Sequence, residues 1–513
     1  MIIMTAARWT VTTRFPGGSA EDLRRAGDGV VFAAGHNGSP YSMWWHFTIR
    51  GAQGLSVPCT WEHTGEVLGS SQVGMTVPVY TDEKGVWRRV NPRQCRYDPA
   101  AGQFTFLVPC HTPRVEVAFS YPYTLAQAEA LVRAAVRQPG VTVSELARSE
   151  QGRACDIIEV GEGDWQVWVT ARHHAGETPG AYVLEGLLQA VLASPELRRV
   201  GRFHFVPVMD VDGVAEGWYG KDRVPRDFNR DYCTGACRPE VAAVMQAAEA
   251  GGRVDVMLDL HAPCPGDRSF VVTPKETFLN LNEWQQAGDF ARWLEALAPR
   301  SCPVRVADIS RTAMNWSGAN YHQTSTGYFN QRFAALALCV ESTYHRTADG
   351  RLVTPAGWRG VGGALARTLA VAVGLQSAPP VDHLPRPEWQ APRLQGWRLI
   401  NLPQETIFQM QGQTLEITGS DAGGSAWVVC DKLLATRRPA LQWQLSGSAE
   451  MLRVTAKGFE TRGVVPTGVI TDRDLPASPT DQPRRATVAA PDSHNRLLVQ
   501  VRGLRGRLVV TVG

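Results

Sequence analysis

The sequence predicts an α/β protein. A doubly wound, mostly parallel sheet is expected at residues 125–376, preceded by an all-β sandwich at 1–124 and followed by a small β-rich domain at 393–513. Three observations predict this. Residues 30–121 alternate short apolar segments with Gly, Pro and Asn, as sandwich strands and turns do. From residue 124 onward, apolar runs of strand length alternate with helical stripes, the pattern of parallel strands covered on both faces. Residues 377–392 are rich in proline and read as a linker.

Bulk properties agree and narrow the function. A chain of 513 residues exceeds one hydrophobic core. With 44% hydrophobic and 20% charged residues it reads as globular. A formal net charge of +3 with no basic run gives no electrostatic case for nucleic acid. Residues 1–13 hold one Arg and no sustained apolar core, which predicts neither a signal peptide nor a membrane partner and places the chain in the cytoplasm. Ten cysteines without paired spacing read as reduced thiols, with Cys233 and Cys237 closest to a pair and expected to be plain loop thiols.

In chain order, Ala126, Ala130, Leu131 and Val132 suit a first helix. Near-continuous apolar runs predict strands at Trp165–Ala171, 203–209, 254–260 and 335–340. Pro179 opens a helix whose Leu184, Leu187, Leu188, Val191 and Leu192 form one apolar stripe. Later helices are expected at 240–250, 280–297 and 360–373. The last domain alternates β-type runs such as 497–501 and 508–512 with a polar loop near 472–485.

Parallel sheets bind ligands beyond the carboxyl ends of their strands. His174 and Glu177 follow the first predicted strand, His261 ends the third, and Glu341 ends the fourth. Two imidazoles and one carboxylate are the protein half of a catalytic zinc site, with a fourth position left for water.

Four motifs share an order and spacing: R-H-H-A-G-E-T at 172–178, D-F-N-R-D-Y at 227–232, D-L-H at 259–261 and C-V-E-S at 339–342. In these the chain resembles the zinc carboxypeptidases, and in YSMWWHFTIR at 41–50 and VAFSYPYT at 117–124 it resembles their cytosolic branch, which places a β-sandwich before the catalytic domain. The resemblance covers residues 30–373 and implies a carboxypeptidase-like catalytic fold acting on a peptide or protein C-terminus.

It also implies one Zn2+ ion on His174, Glu177 and His261, with Asp227 holding His174 from behind. Asn229 and Arg230 would grip the substrate's terminal carboxylate, and Glu341 would be the general base. Tyr321 matches the tyrosine of a mobile loop, with Tyr328 as rival, and Arg332 is the candidate partner for an acidic terminal side chain. The family's Asn-Pro-Asp-Gly turn reads Asp210, Val211, Asp212, Gly213 here, and Ala262 and Pro263 follow His261. The arginine that steadies the oxyanion falls on Gly220, so Arg223, then Lys221, is the expected substitute.

The predicted function is a zinc-dependent metallocarboxypeptidase. A zinc amidohydrolase or deacylase acting on an N-acyl amino acid or cell-wall peptide is the alternative, and a non-catalytic peptide-binding module the third. The oligomeric state stays open.

Overall fold

The structure is a computed structural model that describes residues 9–233, 235–262, 264–273, 281–306, 323–385, 397–399, 406–411, 414–434, 440–461, 466–480, 482–487 and 495–512. Its first unit is built from strands β1 (Thr10–Thr12), β2 (Glu21–Ala26), β3 (Gly29–Ala33), β4 (His46–Arg50), β5 (Ser56–Glu62), β6 (Val79–Thr81), β7 (Trp87–Arg89), β8 (Arg96–Asp98), β9 (Gln103–Pro109) and β10 (Arg114–Ala118). They form two five-stranded sheets, ordered β1-β4-β10-β6-β7 and β2-β3-β5-β9-β8. Alternation makes the layers: in β9, Phe104, Phe106 and Val108 point inward while their neighbours do not. Aromatic rings join the sheets, with Phe32 of one 4.9 Å from Phe47 of the other and Trp45 stacked on Phe106 at 5.6 Å. Strand β2, reading EDLRRA and largely exposed, lies outside the predicted pattern because it buries almost nothing.

The second unit is organised by a seven-stranded sheet of β11 (Val141–Arg148), β12 (Ala154–Val160), β13 (Trp165–Ala171), β14 (Gly201–Val206), β15 (Val256–His261), β16 (Phe270–Val272) and β17 (Leu336–Glu341). Its order is β11-β12-β14-β13-β15-β17-β16. The four central strands are parallel, but the pairings of β11 with β12, β12 with β14 and β16 with β17 are antiparallel. The sheet is therefore mixed, which corrects the expectation of a mostly parallel one. The edge strand β11, VTVSELAR, is largely open to solvent, so it lacks the continuous apolar run that marked the central strands.

Eight helices accompany this sheet among the described residues: α1 (Leu125–Ala135), α2 (Thr178–Leu192), α3 (Pro195–Val200), α4 (Val211–Glu216), α5 (Pro239–Gly251), α6 (Leu281–Leu297), α7 (Ser325–Phe333) and α8 (Pro355–Ala372). A capping box starts α1: the Thr124 hydroxyl accepts from Gln127 N and the Gln127 side chain accepts from Thr124 N. Helices α2 and α8 cross closely because Gly186 and Gly362 carry no side chain; a Cβ on Gly362 would lie 2.1 Å from Val183 O. The Asp210–Gly213 turn is the start of α4, where the Asp210 carboxylate accepts from Gly213 N at 2.8 Å.

The β-rich carboxyl-terminal part forms an eight-stranded sheet around two long strands, Thr414–Leu434 and Asn495–Val512. Leu415, Ile417, Trp443, Leu445, Leu508 and Val510 belong to its separate core. Of the predicted linker, residues 386–392 lie outside the described residues.

Candidate active site

The carboxyl ends of β13, β15 and β17 bring the predicted residues to one rim. His261 and Glu341 end neighbouring parallel strands as paired positions. Beyond β13 the chain turns through Arg172 at φ 63°, a conformation that costs a side-chain-bearing residue energy. Arg172 holds the turn itself, donating from Nε to Ala175 O and from Nη1 to Tyr123 O, each at 2.8 Å. His174 and Glu177 follow within this tethered loop, and both are buried.

Glu177 bridges the two imidazoles. Its Oε1 lies 2.9 Å from His174 Nδ1 and its Oε2 lies 2.6 Å from His261 Nδ1. Each ring is held from behind by a second carboxylate. His174 Nε2 is 3.1 Å from Asp227 Oδ2, and His261 Nε2 is 2.9 Å from Asp259 Oδ2. Both Nδ1 atoms are thereby aimed at a common point, and the His174, Glu177 and His261 donor atoms all lie within 4.8 Å of one another. Two imidazole nitrogens and a carboxylate, each ring backed by an anion, fit a zinc ion.

Charge in the cluster favours a cation. Burial lowers the pKa of His174, but Asp227 and Glu177 outweigh it and raise it. Burial likewise opposes the charged form of His261, yet Asp259 and Glu177 hold its pKa well above the ordinary value. Glu177 and Asp227 are held below the usual carboxylate range because the imidazoles overcome the cost of burial. Glu341 differs: burial pushes its carboxyl up to about 7, His261 opposing and Glu177 adding to the rise. Its Oε1 accepts from the Cys339 thiol at 3.5 Å, and its buried Oε2 has no hydrogen-bond partner among the described residues.

Behind His261 lies a layer that the sequence reading did not assign. Asp259 accepts from Thr170 Oγ1 at 2.9 Å, from Asn229 Nδ2 at 3.0 Å and from the Ser325 hydroxyl, and lies 2.8 Å from His173 Nδ1. His173 Nε2 in turn is 2.8 Å from the Tyr232 hydroxyl. A signal was available: residues two apart on a strand share a face, so Asp259 stands on the side of the sheet that bears His261.

The Asn229 amide is engaged in this wall, with Nδ2 on Asp259 and 3.1 Å from His261 Nε2 and with Oδ1 accepting from Ser325 N at 2.8 Å. Arg230 is half-buried and donates through Nη1 to Asn229 O at 2.7 Å. Arg223 is turned onto Asp210, with Nη2 3.3 Å from both carboxylate oxygens and the guanidinium 4.6 Å over the Trp218 ring.

Arg332 sits on α7 and pairs with Glu249 of α5 at 3.3 Å. Glu249 precedes β15 and Arg332 precedes β17, which puts the pair at the amino ends of the strands, opposite His174, Glu177 and His261. Tyr328 is packed there too, its hydroxyl donating to Glu249 at 2.8 Å. Tyr321 lies outside the described residues.

Known proteins are similar to parts of this chain in sequence and fold. A family model described as zinc carboxypeptidase matches residues 129–238. An uncharacterised protein of Zymomonas mobilis is 25% identical over 301 residues, covering 56% of this chain and 76% of its own length. Cytosolic carboxypeptidase 6 of Caenorhabditis elegans is 25% identical over 246 residues, 41% of this chain and 53% of that protein.

Over residues 129–238 the chain is similar to the zinc carboxypeptidases. It spans about half of the nematode cytosolic carboxypeptidase that it matches. In fold it is carboxypeptidase-like. The metallo-carboxypeptidase of Pseudomonas aeruginosa in complex with (2-guanidinoethylmercapto)succinic acid superposes with a TM-score of 0.61 at 23% identity, over 71% of this chain and 99% of that one. The metallo-carboxypeptidase of Burkholderia cenocepacia gives 0.60 at 21% identity, over 71% and 98%. No helix among the described residues is long and apolar enough to cross a membrane.

Proposed function

We propose that the chain is a zinc-dependent metallocarboxypeptidase hydrolysing the C-terminal peptide bond of a peptide or protein. The observation that carries this reading is the unpartnered Glu341 oxygen on the strand next to His261, beside a buried trio built for a divalent cation. A zinc ion held by His174, Glu177 and His261 would acidify a water and polarise the scissile carbonyl.

The remaining steps belong to side chains. Glu341, as carboxylate, takes a proton from the attacking water and returns it to the leaving amine. Arg230 has guanidinium donors beyond the one on Asn229 O and forks onto the free carboxylate of the substrate. Asp227 and Asp259 fix tautomer and orientation of the two ligand rings, and Asn229 steadies Asp259.

The test is metal analysis of the purified chain followed by incubation with a peptide panel and a mass readout. One zinc per chain with loss of single residues from C-termini is expected. Acyl release from N-acyl amino acids, or tight peptide binding without turnover, would replace the reading with an amidohydrolase or a binding module.

A further inference from the structure

Two consecutive imidazoles leave the end of β13, and only one has a part in the steps above. His174 turns to Glu177, whereas His173 touches none of the reacting groups and is nonetheless wholly buried. The two rings flank His261, with centroids 4.9 Å away for His174 and 5.7 Å for His173, the latter stacked within 10° of the His261 plane. A polar ring is costly to bury unless its nitrogens are matched. Both are: Nδ1 lies 2.8 Å from Asp259 Oδ1, and Nε2 lies 2.8 Å from the Tyr232 hydroxyl.

The directions of these bonds follow from the partners. An ionised carboxylate only accepts, so His173 Nδ1 bears the hydrogen and donates it to Asp259. The neutral ring then has a lone pair on Nε2, which accepts from the Tyr232 hydroxyl. The Tyr232 ring is packed against Tyr328 and Phe329, with centroids 5.8 and 6.2 Å away. At the other end Asp259 Oδ2 lies 2.9 Å from His261 Nε2, so the chain runs from Tyr232 to the buried trio. Asn229 reaches the same carboxylate directly, Nδ2 donating to Oδ2 at 3.0 Å. Asp259 is thus grasped by two arms of one segment, and Arg230 stands between them in sequence.

We infer that His173 is a positioning residue that ties the Arg230 segment and His261 into one frame. Through Tyr232 it holds the residues beside Arg230, and through Asp259 it holds the His261 ring. The inference rests on the carboxypeptidase reading above, in which Arg230 grips the terminal carboxylate and His261 is a metal ligand. The frame then fixes the span between the grip and the metal. A terminal carboxylate on Arg230 brings the last peptide bond to the metal only while that span is kept.

The experiment uses the full chain with two readouts: KM and kcat of the zinc-loaded protein on a peptide that the parent cleaves, and Kd for zinc by competition with a chelating dye. The substitutions cut the chain of bonds at different links. Tyr232→Phe removes only the hydroxyl and is expected to raise KM about 3–10-fold, with zinc affinity within about twofold of the parent. His173→Asn keeps an N–H where Nδ1 stands but does not reach Tyr232, so it should match Tyr232→Phe in both readouts. His173→Leu loses both links, so KM should rise at least as far and zinc should bind about tenfold more weakly. A His173→Asn variant that loses as much zinc affinity as His173→Leu overturns the assignment, and so does a Tyr232→Phe variant with unchanged KM. Should the Leu variant not fold, a loss of about tenfold in zinc affinity for His173→Asn overturns it equally. A parent that binds zinc but trims no peptide overturns the peptidase reading instead, and the zinc constants then judge His173 alone.

Discussion

Asp259 receives hydrogen bonds or close approaches from Thr170, His173, Asn229, Ser325 and His261, and none of these partners is open to solvent. So many donors on one buried carboxylate hold it ionised, well below the usual range, with the two imidazoles overcoming the cost of burial. Asp259→Asn keeps the shape and removes the anion behind His261. Zinc affinity is expected to fall about 10–100-fold, read by competition with a chelating dye, while circular dichroism stays that of the parent. Unchanged affinity would mean that Asp259 only fills space. For Glu341 the isosteric change acts on turnover: Glu341→Gln should cost about 10²–10⁴ in kcat with zinc still bound. The base works as carboxylate, and burial raises its pKa to about 7 before a cation is present. A bound dication favours the carboxylate, so kcat/KM should rise with pH and reach its plateau at or below about 7. A rate that climbs as pH falls below that value would contradict the role.

At the scale of elements, what could be read from sequence was what burial imprints on it. The central strands are apolar on both faces, and Pro179 and the Leu stripe announce α2, so these were legible, and with them the rim holding His174, His261 and Glu341. The edge strand β11 is largely open and β16 is apolar but only three residues long, so neither gives an apolar run of strand length, and both pair antiparallel. Sequence distance from Glu341 likewise does not say that α7 carries Arg332 back to the far end of β17. Helix α5 contains a burial conflict that predicts a pH effect. Glu240, in its first turn, has its carboxyl pushed up to about 7, chiefly by burial and then by Asp210 and Asp212 against the help of Arg238. The folded chain thus binds this proton more tightly than the unfolded chain, whose ordinary value is 4.5. Stability from this group is present below 4.5, is lost as pH rises toward 7, and stays lost above. Glu240→Gln should stabilise the fold by about 2–3 kcal/mol at pH 8 and by almost nothing at pH 4, measured as denaturant midpoints at both. An equal gain at both pH values would refute the burial cause.

Across the whole molecule, the sandwich and the seven-stranded sheet have separate cores, but the sandwich core takes in residues of the second unit. Ala262 follows His261 and Tyr344 lies three residues beyond Glu341, yet together with Tyr219 they pack into the aromatic cluster of Trp44, Trp45 and Phe119. Phe119 meets Tyr344 at 5.2 Å and His345 at 4.6 Å, and Gly176 has room only for hydrogen beside Trp44 and Tyr219. Arg89 adds a polar clamp, donating to Val77 O at 2.7 Å on its own side and to Tyr344 O at 2.5 Å and Val353 O at 3.0 Å on the other. Buried carbonyls left without that guanidinium would each cost about 1–3 kcal/mol. Arg89→Met should therefore lower the thermal midpoint and, because Tyr344 lies three residues beyond Glu341, slow peptide turnover without lowering zinc content. Residues 125–385 expressed alone would expose Tyr219, Ala262 and Tyr344 and are expected to aggregate or to bind zinc weakly. If that fragment stays monomeric and binds zinc like the full chain, the sandwich is an attachment. If it fails as expected, the sandwich is part of the wall that holds the active site in shape.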